Sequence, residues 1–390
     1  MVIKMIHTGM IFCRINKEMF ERFRSHPNTN LHKQDKRYRT WANTGFKEFG
    51  ITYIQARYIK KPDFEAVHMT CRLNFKRLIE QENRVLTYKE SDHDSVVCAF
   101  NQIMMQVGLP SWNFWKVSRI DYCIDIKTDH VADYIYLMQK GDIPHHQKLP
   151  YNPVNKRREH KKGSVYLIAR ARDKRSNKTG SVTVNFYDKY LQKLNEQVVT
   201  MTVTDAEVEQ ARNILRLEIQ CFLPKFSSLK NKYKLSDTRL EQYLSDDICC
   251  TVIEDMLLKI TRKGAYLRKS EALKAIDASS CQARTKIKLK ALIKAVARQY
   301  QSVEKVRDMF ISDGTVRDRE AFSDLLRKLD KLDVNPVTIP DKKAITGLRL
   351  KEGLPNLYDL FFDAVQEELY EDSAESMIYL DETVQEDDEP

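Results

Sequence analysis

Three short segments of strict alternation constrain this chain more than anything else in it. They are Ser118-Arg119-Ile120-Asp121-Tyr122-Cys123-Ile124-Asp125, Val182-Thr183-Val184-Asn185-Phe186-Tyr187-Asp188-Lys189 and Ile214-Leu215-Arg216-Leu217-Glu218-Ile219-Gln220. A β-strand sends successive side chains to opposite faces, so this period of two fits strands and no helix. Arg119, Asp121, Cys123 and Asp125 then share one face. Thr183, Asn185, Tyr187 and Lys189 form a second, and Arg216, Glu218 and Gln220 a third. The reverse sides are apolar: Ile120, Tyr122 and Ile124; Val182, Val184 and Phe186; Leu215, Leu217 and Ile219. If one sheet carries all three strands with the apolar sides on a core, its other side gathers a tyrosine, a lysine and three carboxylates.

The rest of the chain supplies partners for that sheet. Residues 1–17, 50–58 and 65–75 read as further strands, with polar residues 18–49 as a loop holding short helical pieces. From Ser95 to Val107 the apolar residues Val96, Val97, Phe100, Ile103, Met104 and Val107 follow helical spacing behind Asp94 as a cap, and Gly108-Leu109-Pro110 ends the run. A helix is predicted over Val131–Gln139. Residues 164–188 read as a hairpin whose tip is strongly basic, and 189–212 as largely helical. After Leu223-Pro224 the strand signals fade, and 236–275 and 282–330 carry helical patterns. The expected class is therefore α+β: a central antiparallel sheet flanked by helices over 1–223, a mainly helical second domain over 224–350, and an acidic, mobile tail over 351–390.

Charge narrows the partners. The net charge is +10, yet fourteen Asp and Glu and no Lys or Arg lie between Glu352 and the end, so residues 1–351 carry +24. An imbalance of that size suits a polyanion, nucleic acid first. Its densest window, 155–180, holds ten Lys and Arg against Glu159 and Asp173. The eight cysteines are scattered with no Cys-x-x-Cys pair, which argues against a disulfide framework or zinc ribbon and for a reducing cytoplasm. There is no apolar run of membrane-spanning length and no signal-peptide pattern at the start. Gly-rich phosphate loops and Ser-His-Asp arrangements are missing too, which leaves an ATPase or serine hydrolase without support.

The polar faces suit attack on a phosphodiester. A tyrosine oxygen that displaces a 3′ oxygen from phosphorus keeps the bond energy in a phosphotyrosyl ester. With an unperturbed pKa near 10, tyrosine needs positive charge nearby to ionise, and Lys189 on the same strand face is the expected source. Tyr187 is the proposed nucleophile. Tyr190 is its rival, because Tyr190-Leu191-Gln192-Lys193 places a lysine one helical turn away if Asp188 caps a helix. Asp121, Asp125 and Glu218 have the oxygen donors that Mg²⁺ or Mn²⁺ prefers; the competing reading is that they form salt bridges with Arg119 and Arg216. His68 is a further candidate ligand, whereas His145 and His146 are adjacent and would point apart. Arg119, Arg170, Arg172, Lys174, Arg175, Lys178 and Arg216 are the expected contacts to DNA.

Three segments in this order, Val117-Ser118-Arg119-Ile120-Asp121, Phe186-Tyr187-Asp188-Lys189 and Leu215-Arg216-Leu217-Glu218, resemble the rolling-circle replication initiators of the filamentous-phage gene II type and the related plasmid replication initiation factor family. Weaker similarity covers Asn74-Phe75-Lys76-Arg77-Leu78-Ile79 and Leu332-Asp333-Val334-Asn335-Pro336-Val337-Thr338-Ile339-Pro340. The resemblance implies a site-specific nickase that cuts one strand at a replication origin and becomes joined to its 5′ phosphate. It then rejoins the strand, with Tyr187 as nucleophile, Lys189 as companion and Asp121 and Glu218 at the metal. Asp125 is added by periodicity. The resemblance also implies origin DNA, single-stranded at the nick, as partner, with a host helicase and polymerase downstream. The alternatives are a non-catalytic origin- or operator-binding protein and a mobile-element relaxase.

Overall fold

A computed structural model describes residues 2–27, 29, 31–35, 40–43, 45–61, 64–80, 88–144, 146–160, 163–169, 181–201, 203–298, 301–341 and 353–365. The chain divides into two compact units, one of Ile3–Val131 with His145–Ile253 and the other chiefly of Ala132–Pro144 with Glu254–Pro390.

The first unit begins with β1 (Val2–Ile15), α1 (Lys17–Ser25), β2 (Leu31–Asp35), β3 (Thr40–Asn43), β4 (Ile51–Lys61), β5 (Phe64–Asn74), α2 (Phe75–Ile79) and α3 (His93–Gln106). After β6 (Lys116–Lys127) and α4 (Val131–Gln139) come the short β7 (Gln147–Lys148), β8 (Tyr151–Asn152) and β9 (Arg157–Arg158). β10 (Ser164–Ala169), β11 (Val182–Asp188), α5 (Lys189–Thr200), α6 (Asp205–Gln210), β12 (Ile214–Phe222) and α7 (Leu223–Tyr233) complete it, with the first turns of α8 (Asp246–Thr261).

Ten of these strands form one sheet in the order β2-β3-β4-β5-β1-β6-β12-β11-β10-β7. The order repeats itself about the centre. In each half a first strand (β1 or β6) is followed by a helix and a run of strands, and the last of these (β5 or β12) returns antiparallel onto the first. The expected α+β class, with an antiparallel sheet flanked by helices and a helical C-terminal region, is what the chain adopts.

Alternation explains how the sheet buries one side. Ile120, Tyr122, Ile124, Val182, Val184, Phe186, Leu215, Leu217 and Ile219 are all buried, each such aliphatic or aromatic side chain stabilising by about 1.5–3 kcal/mol. In the first half Ile11, Cys13, Ile54, Met69, Cys71 and Leu73 do the same, with Phe20 and Phe23 of α1 and Val96, Phe100 and Met104 of α3 buried beside them. α1 starts where Asn16 accepts the Met19 amide at 2.8 Å, and α6 where Thr204 and Glu207 form a reciprocal cap.

The unit boundary falls about thirty residues beyond the expected 223, for a physical reason. Tyr122 donates its hydroxyl to the Tyr243 carbonyl at 2.8 Å, and the Val117 amide bonds the Thr238 carbonyl at 2.9 Å. Phe226, Leu229, Leu240 and Tyr243 are buried, so the residues after β12 belong to the sheet's own core.

The second unit holds the rest of α8, then α9 (Lys269–Ala278), α10 (Ala283–Val296), α11 (Val303–Ser312) and α12 (Arg319–Lys331). It also takes in the α4 segment: Tyr134 donates to the Pro355 carbonyl at 3.0 Å and Lys140 to the Arg298 carbonyl at 3.2 Å. Two buried asparagines close the end of α8. Asn335 donates to the Thr261 carbonyl at 2.7 Å, and Asn356 to those of Arg262 and Gly264 at 3.0 and 2.9 Å. Gly264 sits at φ +85° with the Asp333 carbonyl group where a Cβ would stand, so only glycine fits. Within the 351–390 tail, residues 357–365 are helical, and Leu357 and Phe361 are buried. Residues 366–390 lie outside the described residues.

Candidate active site

β6, β12 and β11 are neighbours, and their register stacks the polar residues into three rows. Asp121 lies opposite Gln220 and that opposite Thr183; Cys123 opposite Glu218 and that opposite Asn185; Asp125 opposite Arg216 and that opposite Tyr187. The expected face therefore forms. It is not, however, an exposed one. Asp121, Cys123, Asp125, Thr183, Arg216 and Glu218 are all buried, and so are Lys189 and Lys193 of α5.

Each carboxylate has its own partners. Asp121 accepts from Arg119 Nε at 2.6 Å and from the hydroxyl of Thr8 on β1. Asp125 takes both oxygens to Arg216, with Nε at 2.5 Å, a bidentate pair in which Arg216 is fully buried. Glu218 is different, because its Oε1 accepts the Tyr187 hydroxyl at 2.6 Å and lies 2.9 Å from Nδ1 of His7. His7 and Thr8 were not legible as site residues; they sit in the first strand with no polar motif around them. The His7 side chain is 21% exposed and Tyr187 is half-buried, so the group opens to solvent on that side.

Lys189 stands elsewhere than expected. Asp188 ends β11 and caps α5, its carboxylate accepting the Leu191 amide at 3.1 Å, so Lys189 is the first helical residue and not a strand residue. Its Nζ lies 5.7 Å from the Tyr187 ring centre. Burial, with Arg216 adding repulsion, pulls its ammonium down to about 7. Burial and then the Glu218 carboxylate push the Tyr187 phenol well above its ordinary value. Lysine charge thus does not ionise the tyrosine, contrary to the expectation. Burial alone would raise Glu218, but His7, Lys189 and Arg216 hold its carboxyl below the usual range. Burial pushes the Cys123 thiol up, which keeps it protonated and inert.

The rival tyrosine points to other company. Tyr190 stacks with the Arg212 guanidinium at 4.7 Å, while Lys193 is buried and pairs with Glu196 at 3.4 Å. Tyr187, not Tyr190, is the tyrosine bonded to Glu218.

Mg²⁺ is commonly held by one or two carboxylates, with water and substrate phosphates completing its shell. Among the described residues no group of three metal-ligating side chains forms, because Asp121 and Asp125 are turned onto arginines. The salt-bridge reading of the two aspartates is the one the geometry shows. His68 does not join them; it stacks on Phe12 at 5.0 Å.

Of the expected DNA contacts, Arg216 is sealed inside the sheet and Arg119 is committed to Asp121. Arg170, Arg172, Lys174, Arg175 and Lys178, at the hairpin tip, lie outside the described residues; below the tip, β10 and β11 pair as expected, Ser164 with Tyr187 through Leu167 with Val184. No helix among the described residues is long and apolar enough to cross a membrane. Comparison with protein-family models, with curated proteins and with solved structures found no match to the chain.

Proposed function

We propose that this protein is a DNA nickase and strand-transferase of the rolling-circle initiator kind, with Tyr187 as its nucleophile. The observation that carries the reading is the Tyr187 hydroxyl held 2.6 Å from Glu218, beside a buried lysine whose ammonium is drawn down to about 7. Glu218 orients the hydroxyl, and its low basicity makes it a poor proton acceptor. Lys189 is the better one, since a general base works best with a pKa near the operating pH. The tyrosine oxygen attacks phosphorus and the phenolic proton passes, through an intervening water, to the Lys189 amine, whose Nζ lies 5.7 Å from the ring centre. The P–O3′ bond breaks, and the resulting ammonium returns the proton to the leaving 3′ oxygen. A phosphotyrosyl ester and a free 3′ hydroxyl result, and the reverse sequence rejoins the strand. No protein charge is lost overall, which suits a step run in both directions.

The second reading is a non-catalytic origin- or operator-binding protein. It is favoured by the two aspartate–arginine pairs, which serve packing as well as they would serve chemistry. Incubation with supercoiled origin DNA, with and without Mg²⁺ or Mn²⁺, separates the two. Nicked circles with protein on the 5′ end, lost in Tyr187→Phe and kept in Tyr190→Phe, are expected. Binding without nicking under every ionic condition sinks the enzyme reading.

A further inference from the structure

The polar side of the sheet does not stop at Asp121. Thr8 reaches Asp121, so alternation along β1 places Met10, Phe12 and Arg14 on the same side. β5 and β4 continue the rows: Arg14 lies opposite His68 and that opposite Arg57, while Met10 lies opposite Arg72 and that opposite Tyr53. In the second half of the sheet this side is buried beside Lys189 and Lys193, but in the first half Arg14 and Arg57 are exposed, and Phe12, Tyr53, His68 and Arg72 are half-exposed.

Two features of this surface point to a ligand. Arg14 and Arg57 flank His68 on the two neighbouring strands, so two exposed guanidinium groups stand on one side of the sheet with an imidazole between them. Burial first, and then Arg14 and Arg57, lower the His68 imidazolium. The second feature is aromatic. Phe12 and His68 stack at 5.0 Å with their planes 23° apart, and the Tyr53 hydroxyl, 3.9 Å from Met10 Sδ, holds a second ring further along the same side.

We propose that this half of the sheet is a binding surface for single-stranded DNA, with Arg14, Arg57 and Arg72 on the phosphates and Phe12, His68 and Tyr53 as platforms for the bases. Cations that follow the backbone, combined with flat rings for unpaired bases, are the pattern that single strands require and that a duplex, with its bases stacked inside, cannot use. Arg119 lies between this surface and the tyrosine, close enough to both Tyr53 and Glu218 for each to act on its charge. Five strand spacings of about 4.8 Å separate β4 from β11, about 24 Å in all. Along the strands the Arg14 row lies six residues to one side of Thr8 and Asp121 and the Tyr187 row four residues to the other, about 33 Å in all, so a bound strand reaches Tyr187 only by crossing the sheet diagonally. The path rests on the nicking reading; the binding surface itself does not.

The test is fluorescence anisotropy with a labelled 20-nucleotide oligodeoxythymidine and, separately, a 20-base-pair duplex, over a range of salt. The charge reversal Arg14→Glu/Arg57→Glu is expected to weaken oligonucleotide binding at least tenfold. The milder Arg14→Gln/Arg57→Gln, checked for folding by circular dichroism, should flatten the salt slope by about 1.4, from about 0.7 per single-strand phosphate contact. Phe12→Ala should weaken binding without changing that slope. Unchanged oligonucleotide affinity in the folded Gln variant overturns the proposal, as does a duplex bound more tightly than the single strand through the same arginines. If the parent binds at this surface yet forms no adduct, the nicking reading fails and the surface stands; an adduct with unaltered binding in the Gln variant has the opposite meaning.

Discussion

Replacing Lys189 by methionine should stabilise the sheet unit while ending strand cleavage. Most core substitutions destabilise, which makes the sign of this one informative. Lys189 is buried, and its ammonium has fallen from 10.5 to about 7. At about 1.4 kcal/mol per pH unit, that drop corresponds to about 5 kcal/mol against the charged form in the folded chain. The sign follows from proton counting. Between pH 7 and 10.5 the unfolded chain holds a proton on this lysine that the folded chain does not, so the stability of the parent rises with pH through that window. Methionine matches the stem in length, binds no proton and relieves the repulsion with Arg216 and Lys193, although Glu218 loses a compensating charge.

The expected gain is about 2–4 kcal/mol at pH 7, below the full figure because of that lost pairing, and it should shrink to near zero by about pH 10.5. All three tryptophans, 41, 112 and 115, lie in the sheet unit, so urea unfolding followed by tryptophan fluorescence reports this unit rather than the helical one. A destabilised variant, or a difference between variant and parent that stays constant from pH 7 to 10, would refute the burial argument. Retained adduct formation would remove Lys189 from the chemistry.

Two further substitutions probe the frame. Arg216→Met leaves Asp125 charged and buried without its bidentate partner, and should cost about 3–5 kcal/mol by the same fluorescence assay; a loss under 1 kcal/mol would mean that water reaches the aspartate. Asn335→Ala uncaps the end of α8 and strips a donor from the Thr261 carbonyl, so calorimetry should show the helical unit weakened by about 1–3 kcal/mol with the sheet unit unmoved.

What could be read from the residues was what period and order control. Alternation in 118–125, 182–188 and 214–220 named the right faces, and the three strands do lie together. What could not be read was depth. Nothing in Asp121, Asp125 or Arg216 distinguishes a polar face open to water from one sealed beside a helix, and that difference turns would-be metal and DNA contacts into ion pairs. Lys189 shows the same limit at the scale of one residue. Alternation carried it onto the strand, whereas the Asp188 carboxylate, bonding an amide three residues on, had already started a helix. His7 escaped because its role comes from pairing across more than two hundred residues of chain, which no local window contains. Asn335-Pro336-Val337, part of the weaker resemblance, proved to be a clamp on a helix end, a purely architectural reason for a distinctive string.

The doubled order of the sheet has a consequence for synthesis on the ribosome. β1 finds its β5 partner within the first 74 residues, so the N-terminal half-sheet can assemble early. Its other edge then waits for β6, whose remaining neighbour β12 is completed only at Phe222. Until β6 emerges, β1, with four Ile and two Met, stands with the amides and carbonyls of that edge unsatisfied, the condition under which nascent chains pair with one another. A pause in translation between residues 75 and 116 would prolong that exposure, and a pause after 222 would not.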